Sequence, residues 1–466
     1  MTSVTAIRAQ DHADIQGNLL TPYALPYGAF LLVNIAGADR GRALLGELAD
    51  RVTSARAQDR GLTAAWNVAF TYEGLQRLGV PERLLWPLPQ DFCQGMETRA
   101  VERLKDVGES DPRGWESGLR ESDGGHVMVM VRARTHTERN DLVEEASQLV
   151  GKHELTVVYD DASSLVPESP GDLQKCGGSA REHFGFADGC SQPAIEGTRA
   201  ADKDRYQRVK AGEFLLGYRD VDGLVTGEVR FFRNGSFMVF RKLEQRVAAF
   251  RRIVRSCELP DDLVAAKIVG RWDTGEPLVM DKRERPPDSR PELNDFRYGS
   301  PMADGPADDR PEDPWGERCP LGAHIRRAFP RDALVGGEVR TRRHRILRRG
   351  MPYGEALPED APDDEPDGGR GLLFVCFNAS IARQFELVQS WCLDGNLFDV
   401  PGEPDFLLAP SEATMTIQHD GRTYRLKRTD PLVVTRGGGY FLYPGIGALR
   451  AIATGNYAGQ EDPLPA

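Results

Sequence analysis

The sequence predicts an α+β fold: duplicated ferredoxin-like halves, each an antiparallel β-sheet with peripheral helices. Three observations predict it. Four segments share one order, a glycine, an apolar strand-like run and then a helix-like stretch. The runs are rich in Val, Phe and Leu, and the helix-like stretches space apolar residues three and four apart. The strand–helix–strand units come in pairs with little parallel-sheet character.

In the first segment Gly28 opens the run 28–35, and a helical pattern follows over 40–54, with Leu44, Leu45, Leu48 and Val52 on one face. In the second, the run 125–133 precedes a helix over 137–149; in the third, 235–241 precedes 243–254; in the fourth, 371–377 precedes 380–391. Residues 65–70 and 155–159 supply further strands. The 466 residues exceed one ordinary core, so two halves are expected, 1–205 and 206–466. Two acidic, proline-rich stretches, 303–317 and 355–369, read as surface loops flanking an arginine-rich segment, where they would rim a site.

Composition narrows the function. With 40% hydrophobic and 28% charged residues the chain is an ordinary globular protein. A net charge of −12 argues against a general nucleic-acid binder, because phosphate backbones select basic surfaces. No apolar run reaches the roughly 20 residues that cross a bilayer, so no membrane partner is expected. The first residues lack a basic region, an apolar core and a twin-arginine pair, which favours a cytoplasmic location. The seven cysteines have no Cys-x-x-Cys spacing, so reduced, mostly buried thiols are expected rather than zinc or disulfides.

Chemistry concentrates in the segment from Cys319 to Gly350. It holds His324 in the turn Cys319-Pro-Leu-Gly-Ala-His324 and an arginine cluster about twenty residues later. Arginines cannot deprotonate, and in an acidic chain such a cluster is suited to holding an anion. With eight histidines and no His-Glu-x-x-His pattern, a metal held by several protein ligands has little support. A single histidine can still serve where the cofactor supplies the other ligands, as in haem. Gly322 and Ala323 would let a flat cofactor approach, and Arg326, Arg327 and Arg331 could pair with carboxylates. The second candidate is Asp188 in Gly185-Phe-Ala-Asp188-Gly189, read either as a plain Asp-Gly turn or as a carboxylate against an apolar wall that takes and returns a proton.

These motifs, in this order, resemble the dye-decolorizing peroxidases. Gly185–Gly189 matches that family's GxxDG motif, the turn ending in His324 is similar to its proximal-histidine segment, and Arg343-His-Arg345-Ile-Leu-Arg-Arg-Gly resembles its distal-arginine segment. The likeness runs from Asp14-Ile-Gln-Gly-Asn through Lys267-Ile-Val-Gly-Arg-Trp to about residue 450. The resemblance implies two ferredoxin-like halves in a dimeric α+β barrel-like arrangement, with haem b held mainly by the second. It further implies His324 as the axial iron ligand, Asp188 as distal acid–base group and Arg345 as distal cation. Leu372 and Phe374 would wall the distal side, and Arg331 would meet a haem propionate. The carboxylate expected behind the axial histidine departs from the family's pattern. Asp405, in Pro404-Asp405-Phe-Leu-Leu, is the candidate, with Glu386 and Glu412 as alternatives.

The implied activity is a haem-dependent peroxidase that reduces hydrogen peroxide by way of a ferryl haem and oxidises dyes, phenolics or other small reductants. Bulky dyes would need surface relays, for which Tyr353 and Trp391 are candidates, and a homo-oligomer is possible. The alternatives are a haem carrier without peroxidase turnover and, without haem, a binder of a phosphorylated ligand, which lacks a glycine-rich phosphate loop.

Overall fold

Runs of apolar residues with period-two alternation form strands where their ladder partners satisfy the backbone. A computed structural model describes residues 6–58, 61–161, 181–203, 207–280, 294–299, 310–362, 365–398 and 402–464. Its strands are β1 (Tyr27–Asn34), β2 (Ala64–Phe70), β3 (Val127–Ala133), β4 (Thr156–Asp160), β5 (Ala194–Ile195), β6 (Arg208–Val209), β7 (Ser236–Gln245), β8 (Leu347–Arg348), β9 (Met351–Tyr353), β10 (Gly371–Asn378), β11 (Ala413–His419), β12 (Arg422–Arg428) and β13 (Val433–Tyr443). Nine of them make one sheet in the order β4-β1-β3-β2-β13-β7-β10-β8, with β9 also on β10. Its pairings are antiparallel, as expected for an α+β fold. Among the described residues the path is open, running from β4 to β8 rather than closing into a barrel.

Both faces of the sheet are covered, so its central strands are apolar on both sides. Ala29, Leu31 and Val33 of β1 pack with Leu44, Leu45 and Leu48 of helix Ala38–Arg51, while Phe30 and Leu32 join a second cluster with Met128, Met130 and Phe240. Helix His136–Lys152 follows β3 and opens with a reciprocal cap between Thr135 and Glu138.

Three expectations are corrected by the structure. The helix expected over 243–254 is shorter, Val247–Arg255, because β7 continues to Gln245, where β10 and β13 bond it from both sides. The helix expected over 380–391 is a π-turn, Ala382–Glu386, running into helix Leu387–Leu393. The acidic stretches are not plain surface. Asp313 is buried and accepts the backbone N–H groups of Glu317, Arg318 and Cys319, which fixes the turn before His324. Asp367 accepts from the amides of Ala248 and Ala249 at a helix N-terminus. Residues 303–309 lie outside the described residues, as does Cys176. The other six cysteines are free thiols. No described helix is long and apolar enough to cross a membrane.

Candidate active site

Alternate residues of neighbouring strands share a face, so Leu372 and Phe374 of β10, Arg241, Leu243 and Gln245 of β7 and Val433 and Thr435 of β13 form one floor. This floor lines a cavity of about 300 Å³, large enough for a ligand. Its other walls come from the loop 182–191, the segment 324–331 and residues of helix Leu387–Leu393. His324, Asp188, Arg345, Arg331, Leu372 and Phe374 all line it; Asp405 stands behind, fully buried.

His324 begins helix His324–Ala328. Its Nδ1 lies 2.7 Å from Asp405 Oδ2. A carboxylate only accepts, so Nδ1 carries a proton and Nε2 is the ring nitrogen that Asp405 does not engage. Burial opposes a charge on His324, but the Asp405 charge and hydrogen bond outweigh it and hold its pKa above the ordinary value. Asp405 Oδ1 accepts from the amides of Leu407 (2.9 Å) and Leu408 (3.1 Å), so the carboxylate cannot swing. The two alternatives lie elsewhere: Glu386 pairs with Arg99 at 2.6 Å, and Glu412 faces Lys427 at the surface at 3.9 Å.

Gly322, expected to make room for a flat cofactor, packs the other way: a Cβ there would sit 3.1 Å from Pro404 O and 3.2 Å from Met415. Its carbonyl receives the Phe406 amide, which ties the histidine turn to the Asp405 loop. Arg326 and Arg327 were expected to pair with carboxylates. They are mainly buried clamps on backbone carbonyls: Arg326 donates to Asp313 O and Cys319 O, and Arg327 to Leu321 O, Asp394 O and Glu403 O. Of the two, among the described residues, only Arg326 also meets a carboxylate, that of Asp313, at 3.5 Å. Arg331 donates to Asn294 O and Phe296 O, both at 2.9 Å, and adopts a left-handed φ of 54°, a conformation rare outside glycine and asparagine.

The other wall is looser. Gly185 (φ 96°) and Gly189 (φ 79°) occupy left-handed backbone, which explains the two glycines of the motif that carries Asp188. Asp188 Oδ1 accepts the Gly189 amide at 2.6 Å and is 3.3 Å from Arg348. Arg345 is buried; it donates to Gln207 and to Ser191 O (2.8 Å), which anchors it to the Asp188 loop. Arg348, quoted in the arginine segment but given no role there, is the cation that reaches Asp188; its place on β8 after Arg345 is the signal that was available.

Burial pushes Arg345 down to about 9 and Arg271 down to about 10, and neighbouring arginines act in the same direction. Arg271, Arg331 and Arg345 have no ion pair among the described residues. Buried cations of this kind call for an anion. Together with His324 Nε2, the ring nitrogen that Asp405 does not engage, and the apolar lining of Ile325, Leu372, Phe374, Val388 and Leu407, the donor set fits haem, whose propionates would supply that charge. Tyr353 and Trp391 do not line the cavity; Tyr353 is buried with Lys242 Nζ 4.8 Å from its ring, and Trp391 packs edge-on to His344.

Comparison with known proteins agrees. The family model for the C-terminal part of Dyp-type peroxidases matches residues 179–399. Dye-decolorizing peroxidase msp1 of Mycetinis scorodonius is 28% identical over 94% of this chain and 87% of its own. The multifunctional dye peroxidase DyP2 of an Amycolatopsis species is 28% identical over 94% and 95%. The crystallised ancestral D-type dye decolorizing peroxidase superposes with a TM-score of 0.76 at 28% identity, over 94% of this chain and 98% of the other. Over most of its length the chain is similar to DyP-type peroxidases, and it is a haem peroxidase.

Proposed function

We propose that the cavity binds haem b through His324 Nε2, and that Asp188 and Arg345 act on hydrogen peroxide there. The observation that carries this reading is the 2.7 Å contact from His324 Nδ1 to Asp405, on the wall of a cavity that also receives Asp188 and Arg345. Haem bound there would supply the redox centre for splitting the O–O bond and oxidising a reductant.

The side chains do the rest. Asp405 holds His324 in one tautomer and orientation, and it makes the ring a stronger donor. Arg331 and Arg271 would balance the propionates. Leu372 and Phe374 make their part of the floor apolar, which strengthens the charge interactions above it. The Asp188 carboxylate takes a proton from one peroxide oxygen and returns it to the other, which leaves as water. Arg345 stabilises negative charge on the departing oxygen; its bonds to Ser191 and Gln207 fix it beforehand, so little reorganisation is needed.

The reductants are small phenolics or dyes that reach the cavity edge. The halves 1–205 and 206–466 read as ferredoxin-like duplicates, each supplying antiparallel strands and helices to the common sheet, and the enzyme is assigned to the cytoplasm. The test is a UV–visible spectrum of the purified protein before and after one equivalent of hydrogen peroxide. A Soret band that shifts on addition and returns with a phenolic donor supports the reading. A colourless protein from haem-replete cells overturns it.

A further inference from the structure

The carboxylate behind His324 has a further neighbour. Cys392, on helix Leu387–Leu393, is buried, and its sulfur, the Asp405 carboxylate and a His324 ring nitrogen all lie within 4.8 Å of one another. These three residue types could be taken for a metal-ion site. The bonds already made argue otherwise, because His324 Nδ1 is engaged by Asp405 Oδ2, and Oδ1 is engaged by two backbone amides. The donor atoms are turned toward one another rather than toward a shared ion.

Residues 392 and 405 meet at two points. The Asp405 amide donates to Cys392 O at 2.7 Å, and the thiol sulfur lies within 4.8 Å of the carboxylate. Burial, reinforced by the Asp405 charge, pushes the thiol pKa far above its usual range, so the sulfur keeps its proton and is the donor. A carboxylate offers about four lone-pair sites. Nδ1–H takes one, the amides of Leu407 and Leu408 take two, and the thiol is the neighbour left for the fourth. Asp405 is fully buried, so bulk water does not compete for it.

We propose that Cys392 is a positioning residue for the haem ligand: its S–H donates to Asp405 and limits how strongly that carboxylate draws on the Nδ1 proton of His324. This rests on the haem reading given above. Each donor on a carboxylate withdraws charge from it, and a carboxylate with fewer donors pulls harder on the imidazole. Without the thiol, His324 gains imidazolate character and favours the oxidised iron. The sulfur therefore sets the iron's reduction potential higher than the His324–Asp405 pair would alone.

The test compares Cys392→Ala, which has no donor, with Cys392→Ser, which keeps one, and uses Cys392→Val where the alanine variant fails to fold. Each holoprotein is examined by spectroelectrochemical titration and by the iron–histidine stretch of the reduced form in resonance Raman. The expected result is a lower potential and a higher stretching frequency for Ala or Val, with Ser close to wild type. Wild-type values in all variants overturn the proposal, and so do equal shifts in Ala and Ser, which would reflect packing alone. A wild-type protein without a haem band overturns the haem reading itself, and this inference with it.

Discussion

The two walls of the cavity are built to opposite standards. On the His324 side, Asp405 has no exposed surface, and its carboxylate is held by the histidine and two amides. On the Asp188 side, the carboxylate is 33% exposed, sits in a glycine-flanked turn and meets a similarly exposed Arg348 at 3.3 Å. A ligand that must hold one orientation through every turnover gains from a saturated, dry hydrogen-bond network. A group that must meet peroxide and exchange protons needs access, and it acquires order from its loop rather than from burial. The difference separates a binding wall from a reacting wall, and substitutions on the two should fail in different ways.

The largest expected effect is on the binding wall. His324→Ala should abolish haem retention, read as loss of the Soret band in protein that still folds. Asp405→Asn should weaken haem retention or activity by about 10–100-fold, the usual cost of losing such a supporting contact. If Asp405→Asn matched wild type in both, the contact would be packing only.

The reacting wall should fail without losing haem. Asp188→Asn should keep the Soret band and slow the stopped-flow reaction with peroxide by about 10²–10⁴-fold, the range for a general acid–base group. Arg345→Leu should cost about 3–4 kcal/mol in the barrier, by analogy with lost oxyanion donors. It should also lower stability, because Arg345 ties Ser191 and Gln207 together. Arg348→Gln should cost less than about 10-fold, because an exposed ion pair contributes under about 1 kcal/mol. An Arg348 effect as large as that of Arg345 would move the distal cation role to the residue that touches Asp188.

These two walls were unequally legible in the sequence. Local pattern marked His324 and Asp188, the family resemblance added Arg345, Leu372 and Phe374, and all five line one cavity. Asp405 was the choice among three carboxylates 62 to 88 residues beyond His324, separations at which pattern carries no geometry; only the fold sends Glu386 to Arg99 and Glu412 to the surface. Strand β13 escaped notice for a similar reason. Gly437, Gly438 and Gly439 carry no apolar side chain to mark a strand, yet β13 bridges β2 and β7 at the middle of the sheet. Those glycines answer to packing: a Cβ at Gly437 would lie 2.4 Å from Leu119, and one at Gly438 2.3 Å from Phe240 O. The arginines after His324 misled in the other direction, because charge in a sequence suggests an anion, whereas five N–H donors serve equally well to gather carbonyls.

The smallest effect concerns pH and the stability of the reacting wall. His183 starts the Asp188 loop and places Nε2 2.7 Å from Tyr353 O on β9. A carbonyl only accepts, so Nε2 carries a proton in the neutral ring. Burial lowers the His183 pKa, the Tyr353 bond only partly offsets this, and Arg370 adds to the fall. The unfolded chain, with a histidine pKa of about 6.5, therefore binds the proton more readily than the folded one. The stabilisation is complete above pH ~6.5 and is lost as pH falls through the lower, folded value. His126 and His344 are also lowered by burial and slope the same way, so His183→Gln should remove only part of the acid-side loss. Melting temperatures of wild type and variant between pH 5 and 8, on the order of the range in which histidine titrates, measure that share. If the two curves run parallel, the loop is not held by a neutral His183, and the looseness of the reacting wall has another cause.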